Sequence, residues 1–555
     1  MTGVVPSRAR FRWLPQSRWA KASLLLLVVF ALLRSVLWAS VQPPWLAPDE
    51  DYHWLYVNYL VEKGTVPNLS GPVYTSELFD AVTVLQQGTY LRGARTSYTG
   101  DPKAALRQLA GSREPAPPDP RQVLHPPGYY LPDVLIDNAL WSKVSITRLT
   151  AMRYYSAALG ALTIFAAWLL AAQLLAREWQ QLGAAAIASL QPILAFSAST
   201  MTNDVAVAVT LTATLACCAW MLRGPPRARQ GIPLGLLLAI AVMVKATNLS
   251  LVIIIAVLLA FLWKAYPDAR RELRGVLKWT IAIPAVLVGW WYVYLLIKTH
   301  SILGAKGSLT ASNGAHGLGL PHAPAVVWSW ISTVYRSYWF DYLSYEVRTE
   351  DIWFWLPVIG MVIVAAGFVT FLVRTRGTTF SAKGSERQAV LLIALSALVL
   401  VLPPLLLDTW RGIHGLLPTT EQGRFLTPAY PALAVVAVIA LRELTSRVPR
   451  AFPYVLAVAV AGAFVFYWHT WIVFCLERFY GAANGHWLRE LFHASWDKPT
   501  FVTQDYLAVI WIVALAAFVA AAVITVVGAR RGPGTAVASE RTLRPGTSAP
   551  VPAGR

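Results

Sequence analysis

Acidic residues are scarce in this chain of 555 residues. Only 28 residues are Asp or Glu, against 47 Lys or Arg, and charged residues of both signs make up 14% of the chain. With 56% hydrophobic residues, this composition excludes an ordinary soluble protein and predicts an all-α polytopic membrane protein. The basic residues lie mostly in short segments between apolar runs, so the net charge of +19 indicates membrane loops, with the lipid bilayer and not nucleic acid as partner.

Cysteine is also rare, and its three positions exclude two kinds of small scaffold. Cys217 and Cys218 are adjacent within one apolar run, and Cys475 lies alone near the end of another. This spacing provides neither a disulfide framework nor the four ligands of a structural metal site. We therefore expect the three cysteines to be packing residues.

Twelve apolar runs have lengths that suit transmembrane helices. They are predicted at 22–40, 149–175, 182–199, 204–222, 231–244, 249–265, 276–297, 352–373, 389–407, 425–441, 453–474 and 505–528. Arg34 interrupts the first run, and we expect its side chain either to reach outward to the membrane surface or to pair with the acidic cluster that follows.

The distribution of Lys and Arg between the runs predicts the orientation. The most basic loops are 223–230, 264–278, 374–387 and 442–450. The positive-inside rule assigns these loops and both termini to the cytoplasm. The predicted division is a basic N-terminus (1–21), a transmembrane domain (22–528) with large outer loops at 41–147 and 298–351, and a disordered cytoplasmic tail (529–555).

The densest acidic stretch lies in the first outer loop, where Asp49, Glu50 and Asp51 are consecutive and His53 follows. If a helix continues past Pro48, Asp49 and His53 lie on one face with Glu50 beside them. A basic membrane protein has little structural need for such a cluster, which therefore indicates binding or proton transfer. The alternative is a helix start whose acids satisfy free backbone N–H groups.

Other candidate polar residues lie at the outer ends of later spans. They are His125, Tyr129, Asn203, Asp204, Lys245, Arg336 and Arg424. Lys245 and Arg424 suit either a phosphate or an anchoring role at the membrane interface. Asn203 and Asp204 are also ordinary helix caps. Arg336 belongs to an amphipathic aromatic segment that suits the interface or a sugar ring.

The order of the motifs resembles polytopic proteins of the C-type glycosyltransferase superfamily. The matching segments are PPWLAPDEDYHW, HPPGYY, TMTNDVAV, VKATNL and EQGRFLTPAYP. The chain is most similar to an uncharacterised bacterial membrane-protein family within that superfamily, which has an Asp-Glu-x-x-His in the first outer loop and a late Gly-Arg-Phe/Tyr. The resemblance extends from about residue 20 to about residue 440.

This resemblance implies a bundle of about twelve transmembrane helices in the bacterial cytoplasmic (inner) membrane. The implied reaction transfers a sugar from a polyprenyl-phosphate-linked donor to an extracytoplasmic glycan, glycolipid or glycoprotein of the cell envelope. Asp49 would be the general base with Glu50 as its partner or alternate, and Asp51 leaves the choice among three carboxylates open.

The remaining candidates are assigned to the substrates. Fixed cations stabilise a departing lipid phosphate, which suits Lys245, Arg424 and His125 as donor-phosphate ligands. The residues assigned to the rest of the substrates are His53, Asn203, Asp204, Arg336 and Tyr129.

A cofactor and a different function stay open at this point. No cofactor follows with certainty from the motifs, but a divalent cation such as Mg²⁺ or Mn²⁺ could be held by Asp49, Glu50 or His53. The alternative function is a transporter or flippase of lipid-linked envelope precursors, which would place ionisable residues at the bilayer midplane. A non-catalytic scaffold would leave the acidic cluster unexplained.

Overall fold

The structure is a computed structural model. It describes residues 11–42, 44–45, 47–66, 125–143, 145–300, 319–340, 352–381, 384–414, 416, 422–472 and 498–531. All secondary-structure elements assigned within these ranges are α-helices or 3₁₀ helices, which confirms the all-α polytopic fold class. Large parts of the two predicted outer loops, most of the predicted tail and Cys475 lie outside the described residues.

Ten helices in the described part of the chain are long and apolar enough to cross a membrane. They are α1 (Arg18–Val41), α4 (Ser145–Leu174), α7 (Asp204–Met221), α9 (Leu251–Ala265), α10 (Arg270–Thr299), α12 (Ile352–Thr375), α13 (Ser385–Ile413), α14 (Tyr430–Leu444), α15 (Phe452–Trp471) and α16 (Gln504–Arg531). The shorter α9 and α14 reach this length together with the 3₁₀ turns that precede them. The other helices are α2 (Glu50–Lys63), α3 (Tyr130–Ala139), α5 (Glu178–Ser189), α6 (Pro192–Ser197), α8 (Gly231–Val244) and α11 (Ala323–Trp339).

The predicted span at 182–199 is broken into α5 and α6, yet it still passes from one end of the bundle to the other. At one end, the Ser17 hydroxyl donates to the Glu178 carboxylate (2.5 Å) beside the start of α1. At the other end, the Ser199 hydroxyl donates to the Gln42 side-chain oxygen (3.3 Å) just beyond α1. The broken segment therefore runs the length of α1.

The predicted span at 231–244 forms α8, which has only 14 residues. Lys245 follows its last residue and forms an ion pair with Asp204, the first residue of α7. This ion pair places the end of α8 at the same end of the bundle as the start of α7. The two consecutive helices therefore run in opposite directions. The twelve predicted segments are thus ten long apolar helices and two shorter passes.

A central group of helices is surrounded by others that face outward. The most apolar stretches of α1, α4, α7 and α14 are 67–83% buried, whereas those of α10, α12, α13, α15 and α16 are only 17–28% buried. Outward-facing apolar surface of this kind suits contact with lipid. Cys217 and Cys218 are buried within α7, in agreement with their expected packing role.

Arg34 lies within this central group, and both expectations for it are wrong. Its side chain is fully buried, so it does not reach outward. It forms no ion pair with any residue in the described ranges, and Asp49 and Glu50 of the acidic cluster are paired with other arginines. The central position of α1 in the bundle explains why no path to the surface is open to this side chain.

Candidate active site

Asp49 is positioned by an unusual backbone turn between α1 and α2. It precedes α2 with φ of 62°, in the left-handed region, which Asp tolerates better than most residues. Its side chain forms no capping bond with the start of α2 and is 39% exposed. The carboxylate of Asp49 is instead directed at Arg424, so it is both ion-paired and reachable from outside.

Arg424 lies on a 3₁₀ turn, Gly423–Ala429, that precedes α14. The turn is held against α11, because the Gly423 N–H donates to the Ser337 hydroxyl (2.7 Å). A Cβ at Gly423 would lie 2.3 Å from the backbone nitrogen of Tyr338, so this close approach requires glycine. The turn therefore has one well-defined position from which Arg424 extends.

Three acceptors fix the Arg424 guanidinium. Its Nε donates to the Gln422 side-chain oxygen (2.5 Å), and its Nη1 donates to the Pro48 carbonyl oxygen (3.0 Å). Its Nη2 forms the ion pair with the Asp49 carboxylate. Two of these bonds do not involve the Asp49 side chain, so the carboxylate is not the only group that holds the guanidinium.

A second ion pair lies beside the first. The Lys245 ammonium donates to the Asp204 carboxylate at 2.6 Å, with the Asp204 side chain 4% exposed and that of Lys245 14% exposed. The Phe425 ring centre lies 5.9 Å from the Lys245 Nζ and 5.4 Å from the Arg424 Cζ. The two cations therefore share one aromatic ring and belong to one site.

The two predicted histidines are adjacent to these ion pairs. The ring centres of His53 and His125 are 6.0 Å apart, and the His53 Nδ1 is 2.7 Å from the Tyr130 hydroxyl oxygen. The segment that follows His125 is tied to the end of α8, because the Gly128 N–H donates to the Met243 carbonyl oxygen (3.0 Å).

Burial keeps both histidines uncharged near neutral pH. It lowers the pKa of His53 to about 4 and that of His125, together with the Lys245 charge, to about 3. Neutral imidazoles can donate one hydrogen bond and accept one, but they do not contribute positive charge. His125 therefore does not add a third cation to Lys245 and Arg424.

The carboxyl groups of Asp49 and Asp51 differ in their acidity. Burial alone would raise the pKa of Asp49, but the charge and hydrogen bond of Arg424 outweigh it and lower the pKa to about 2. Burial raises the pKa of Asp51 to about 6, and the neighbouring charges of Asp49 and Glu50 add to this rise. Asp49 is fully ionised at neutral pH, and it is a weak base as long as Arg424 is its partner.

Glu50 faces away from Asp49, into the bundle. It is fully buried and accepts two bonds from Arg153, one from Nε to Oε1 (2.8 Å) and one from Nη2 to Oε2 (2.5 Å). The Met201 N–H also donates to Glu50 (3.0 Å), and Arg153 donates to the Gln42 carbonyl oxygen (2.7 Å). These contacts tie α2, α4 and the ends of α1 and α6 together, so Glu50 holds Asp49 in position.

Three of the predicted substrate-binding residues form no hydrogen bond with Asp49, Arg424, Lys245 or the two histidines within the described residues. Tyr129 is buried, and its hydroxyl lies 2.9 Å from the Ser156 hydroxyl. Arg336 is exposed on α11, where its guanidinium lies 5.8 Å from the centre of the Phe354 ring. Asn203 precedes Asp204 and is fully buried, and neither atom of its amide has a hydrogen-bond partner within the described residues.

The residues proposed for a divalent cation do not converge. Asp49 is bonded to Arg424, Glu50 to Arg153, and His53 to Tyr130. Among the described residues, no group of three or more His, Cys, Asp and Glu side chains could hold a metal ion. This arrangement does not fit a metal held by Asp49, Glu50 and His53.

Sequence reasoning missed several residues of the site. Arg153 was not singled out, although an arginine within a 30-residue apolar helix is costly to bury unless it is paired, which is a signal. Tyr130 and Phe425 stood inside recognised motifs but had no assigned role. Gln422 gave no signal of its own.

The comparisons with known proteins give distant structural matches. No family model matches the chain, and no curated protein matches it. The structure is similar to that of ArnT from Cupriavidus metallidurans bound to undecaprenyl phosphate, with 14% identity and a TM-score of 0.43, over 90% of this chain and 76% of ArnT.

A second similar structure is the oligosaccharyltransferase from Archaeoglobus fulgidus in a complex with Zn and sulfate. It is 14% identical, with a TM-score of 0.45, and the match covers 80% of this chain but only 52% of the oligosaccharyltransferase, about half its length. Both matches are distant and concern the fold.

Proposed function

We propose that this protein is an integral membrane glycosyltransferase. It takes a sugar from a polyprenyl-phosphate-linked donor and transfers it to a cell-envelope acceptor at the extracytoplasmic face of a bacterial cytoplasmic membrane. The observation that supports this most directly is the pairing of a reachable carboxylate, Asp49, with an anchored guanidinium, Arg424, next to a second cation, Lys245.

The two cations are the proposed ligands of the donor phosphate. Arg424 presents a planar fork that suits phosphate oxygens, and Lys245 adds a second positive charge beside the shared Phe425 ring. In the resting protein each cation is bonded to a carboxylate, Arg424 to Asp49 and Lys245 to Asp204. The phosphate must therefore displace a carboxylate in order to bind.

Donor binding thereby prepares the base. The Pro48 carbonyl and the Gln422 side chain keep Arg424 in place while the phosphate takes the position of the Asp49 carboxylate. Without its direct bond to the guanidinium, Asp49 loses the interaction that lowers its pKa. The base becomes active only when a donor is present, which limits proton abstraction in its absence.

The transfer step follows from this arrangement. The Asp49 carboxylate accepts the proton of an acceptor hydroxyl while that oxygen attacks the anomeric carbon. The bond between the anomeric carbon and the phosphate oxygen breaks on the opposite face, and its electron pair remains on the phosphate. The configuration of the sugar inverts, and Arg424 and Lys245 stabilise the charge that develops on the leaving phosphate.

The alternative of a transporter or flippase has one feature in its favour, the break between α5 and α6 beside buried Arg34. Broken helices with buried polar groups line the sites of many transporters. However, Asp49, Arg424 and Lys245 lie together at one end of the bundle, and the Asp49 side chain is 39% exposed. A reachable carboxylate at the mouth of the protein favours chemistry on an external acceptor.

The decisive experiment distinguishes chemistry from transport. Purified protein is incubated with a panel of polyprenyl-phosphate monosaccharides and an envelope glycan fraction, and the formation of polyprenyl phosphate is measured. We expect release of the carrier with at least one sugar, and loss of carrier binding in Arg424→Ala. Movement of an unaltered donor between leaflets of proteoliposomes, without release of the carrier, would contradict the proposal and support the transporter.

A further inference from the structure

Arg34 is a buried cation whose hydrogen-bonding capacity is largely unmet. Its Nη1 approaches the Gln191 carbonyl oxygen at 3.5 Å, at the limit of a hydrogen bond. Its Nε and Nη2 have no hydrogen-bond partner within the described residues, and the same is true of both polar atoms of the Gln191 side chain. The Arg34 guanidinium also lies 5.5 Å from the centre of the Tyr467 ring.

This situation differs from that of the other buried arginines near the site. Arg153 forms an ion pair with Glu50, and Arg148 forms one with Asp137. A buried ion without a counterion is strongly unfavourable in a membrane bundle. The position of Arg34 therefore indicates that its charge serves a partner other than the side chains of the resting protein.

The local charges leave Arg34 uncompensated. The Asp49–Arg424, Asp204–Lys245 and Glu50–Arg153 pairs each sum to zero. Both histidines are neutral, and the remaining acid of the first turn, Asp51, is partly exposed, so water screens its charge. Among these groups, Arg34 is the cation that has no carboxylate partner within the described residues.

Arg34 lies deeper in the bundle than the end of α1 that carries the site. It precedes Gln42, the residue that follows α1, by eight residues, which correspond to about 12 Å along a helix axis. It approaches the Gln191 carbonyl oxygen, while the hydroxyl of Tyr430, which follows the turn bearing Arg424, donates to the Ile187 carbonyl oxygen (3.5 Å). Arg34 and this turn therefore converge on the same stretch of backbone.

We propose that Arg34 determines the charge specificity of the site by offsetting the negative charge that a lipid-linked phosphate brings into the bundle. This inference rests on the proposed function and extends it to the charge of the ligand. Arg34 acts at a distance and is a specificity-determining residue, not a catalytic one. At an effective dielectric constant of about 20, two unit charges on the order of 12 Å apart interact strongly enough to change affinity about tenfold.

The effect increases with the charge of the ligand. A phosphodiester donor carries one negative charge, whereas the released phosphate monoester carries about 1.5 to 2 near neutral pH. Arg34 therefore stabilises the leaving carrier more than the bound donor, and it has no such effect on an uncharged polyprenol. This dependence on ligand charge separates an electrostatic role from a packing role.

The test compares binding of polyprenyl phosphate and of polyprenol to detergent-purified protein. Arg34→Met removes the charge but retains most of the side-chain volume, and Arg34→Lys retains the charge. We expect Arg34→Met to bind polyprenyl phosphate about tenfold more weakly and polyprenol unchanged, with Arg34→Lys close to the unaltered protein. Thermal stability should not fall in Arg34→Met, because an unpaired buried charge has been removed.

A matched control removes a buried ion pair without changing the net charge. The double variant Asp137→Asn/Arg148→Gln meets this requirement, and we expect it to bind polyprenyl phosphate as the unaltered protein does. If Arg34→Met does not fold, Arg34→Gln, which keeps a polar group, serves for the same comparison.

Two results would overturn the inference. They are equal binding of polyprenyl phosphate by the neutral Arg34 variant and the unaltered protein, and an equal loss of phosphate and polyprenol binding, which would indicate packing alone. Failure of the unaltered protein to bind polyprenyl phosphate at all would instead contradict the proposed function, so the two claims fail separately.

Discussion

Asp49 and Glu50 are neighbours in the chain but have opposite surroundings. Asp49 is partly exposed and shares one guanidinium with two other acceptors, whereas Glu50 is fully buried and receives three hydrogen bonds. A general base must reach the acceptor hydroxyl. Exposure therefore favours Asp49 for that role, and burial makes Glu50 the residue that holds the start of α2.

Asp49→Asn tests the role of the base. The amide keeps the shape of the side chain but cannot accept the hydroxyl proton, so we expect transfer to fall at least about 100-fold. Carrier binding should be unchanged or tighter, because the phosphate no longer competes with a carboxylate for Arg424. Transfer at a normal rate by Asp49→Asn, measured with saturating donor, would remove Asp49 from this role.

The pH dependence tests whether donor binding releases Asp49. In the free protein the Asp49 pKa is about 2, whereas without the ion pair it should return to about 4 or above. Because the ionised form is active, kcat should fall as the pH drops below about 5, while kcat/KM, which reports the free protein, stays flat to about pH 4. The measurement is made in Asp51→Asn, which removes the carboxyl with a pKa of about 6. If kcat and kcat/KM fell over the same acidic pH range, Arg424 would still be bonded to Asp49 in the donor complex.

Among the structural elements, the 3₁₀ turn Gly423–Ala429 has the most direct effect on the site. It brings Arg424 to the start of α2 although Asp49 and Arg424 are 375 residues apart. The position of this turn depends on its contact with α11, in which the Gly423 N–H donates a hydrogen bond to the Ser337 hydroxyl. The position of the guanidinium is thus set by packing between helices rather than by the local sequence alone.

Gly423→Ala should disturb this contact. The added Cβ would meet the Tyr338 backbone at 2.3 Å, so the turn must move and Arg424 moves with it. We expect weaker binding of polyprenyl phosphate, by about tenfold or more, because misplaced charge-assisted bonds lose much of their strength. Gly462→Ala is the matched control, since a Cβ there meets nothing within 4 Å. Equal binding by both alanine variants would contradict the role of the turn.

The helices could be predicted from the sequence, and so could the grouping of the polar site residues at one end of the bundle. The ion pairs between these residues could not. Apolar runs predicted the spans because each depends only on local composition, and polar residues at the span ends predicted the outer cluster. Glu50 and Arg153 are 103 residues apart, and no periodicity relates them. The burial of Arg34 likewise depends on α1 being central, which a local pattern does not reveal.

At the scale of the whole molecule, the fold places the proposed site at one end of the bundle formed by the described helices. Glu178 and Ser17 lie at one end of α1, whereas Glu50 and Met201 meet at the other. The positive-inside rule assigns the first of these ends to the cytoplasm. On this assignment the site opens outside the cell, where a lipid-linked donor and an envelope acceptor can meet.

Thiol labelling on intact cells tests this orientation. Arg271 at the start of α10 and Leu320 just before α11 are both exposed, and they fall in the predicted segments 264–278 and 298–351, which are assigned to opposite sides of the membrane. In a Cys475→Ser background, in which Cys217 and Cys218 are buried, a membrane-impermeant maleimide should label Leu320→Cys on intact cells and Arg271→Cys only after lysis. The reverse pattern would place the site in the cytoplasm and contradict the account.

The most direct test of the central claim is a cryo-EM structure with a bound polyprenyl-phosphate monosaccharide. We expect the phosphate oxygens to lie within hydrogen-bonding distance of Arg424 and Lys245. The Asp49 carboxylate should be more than about 4 Å from the Arg424 guanidinium and face the sugar opposite the phosphate. A donor phosphate bound elsewhere, with the Asp49–Arg424 pair intact, would contradict the proposed mechanism.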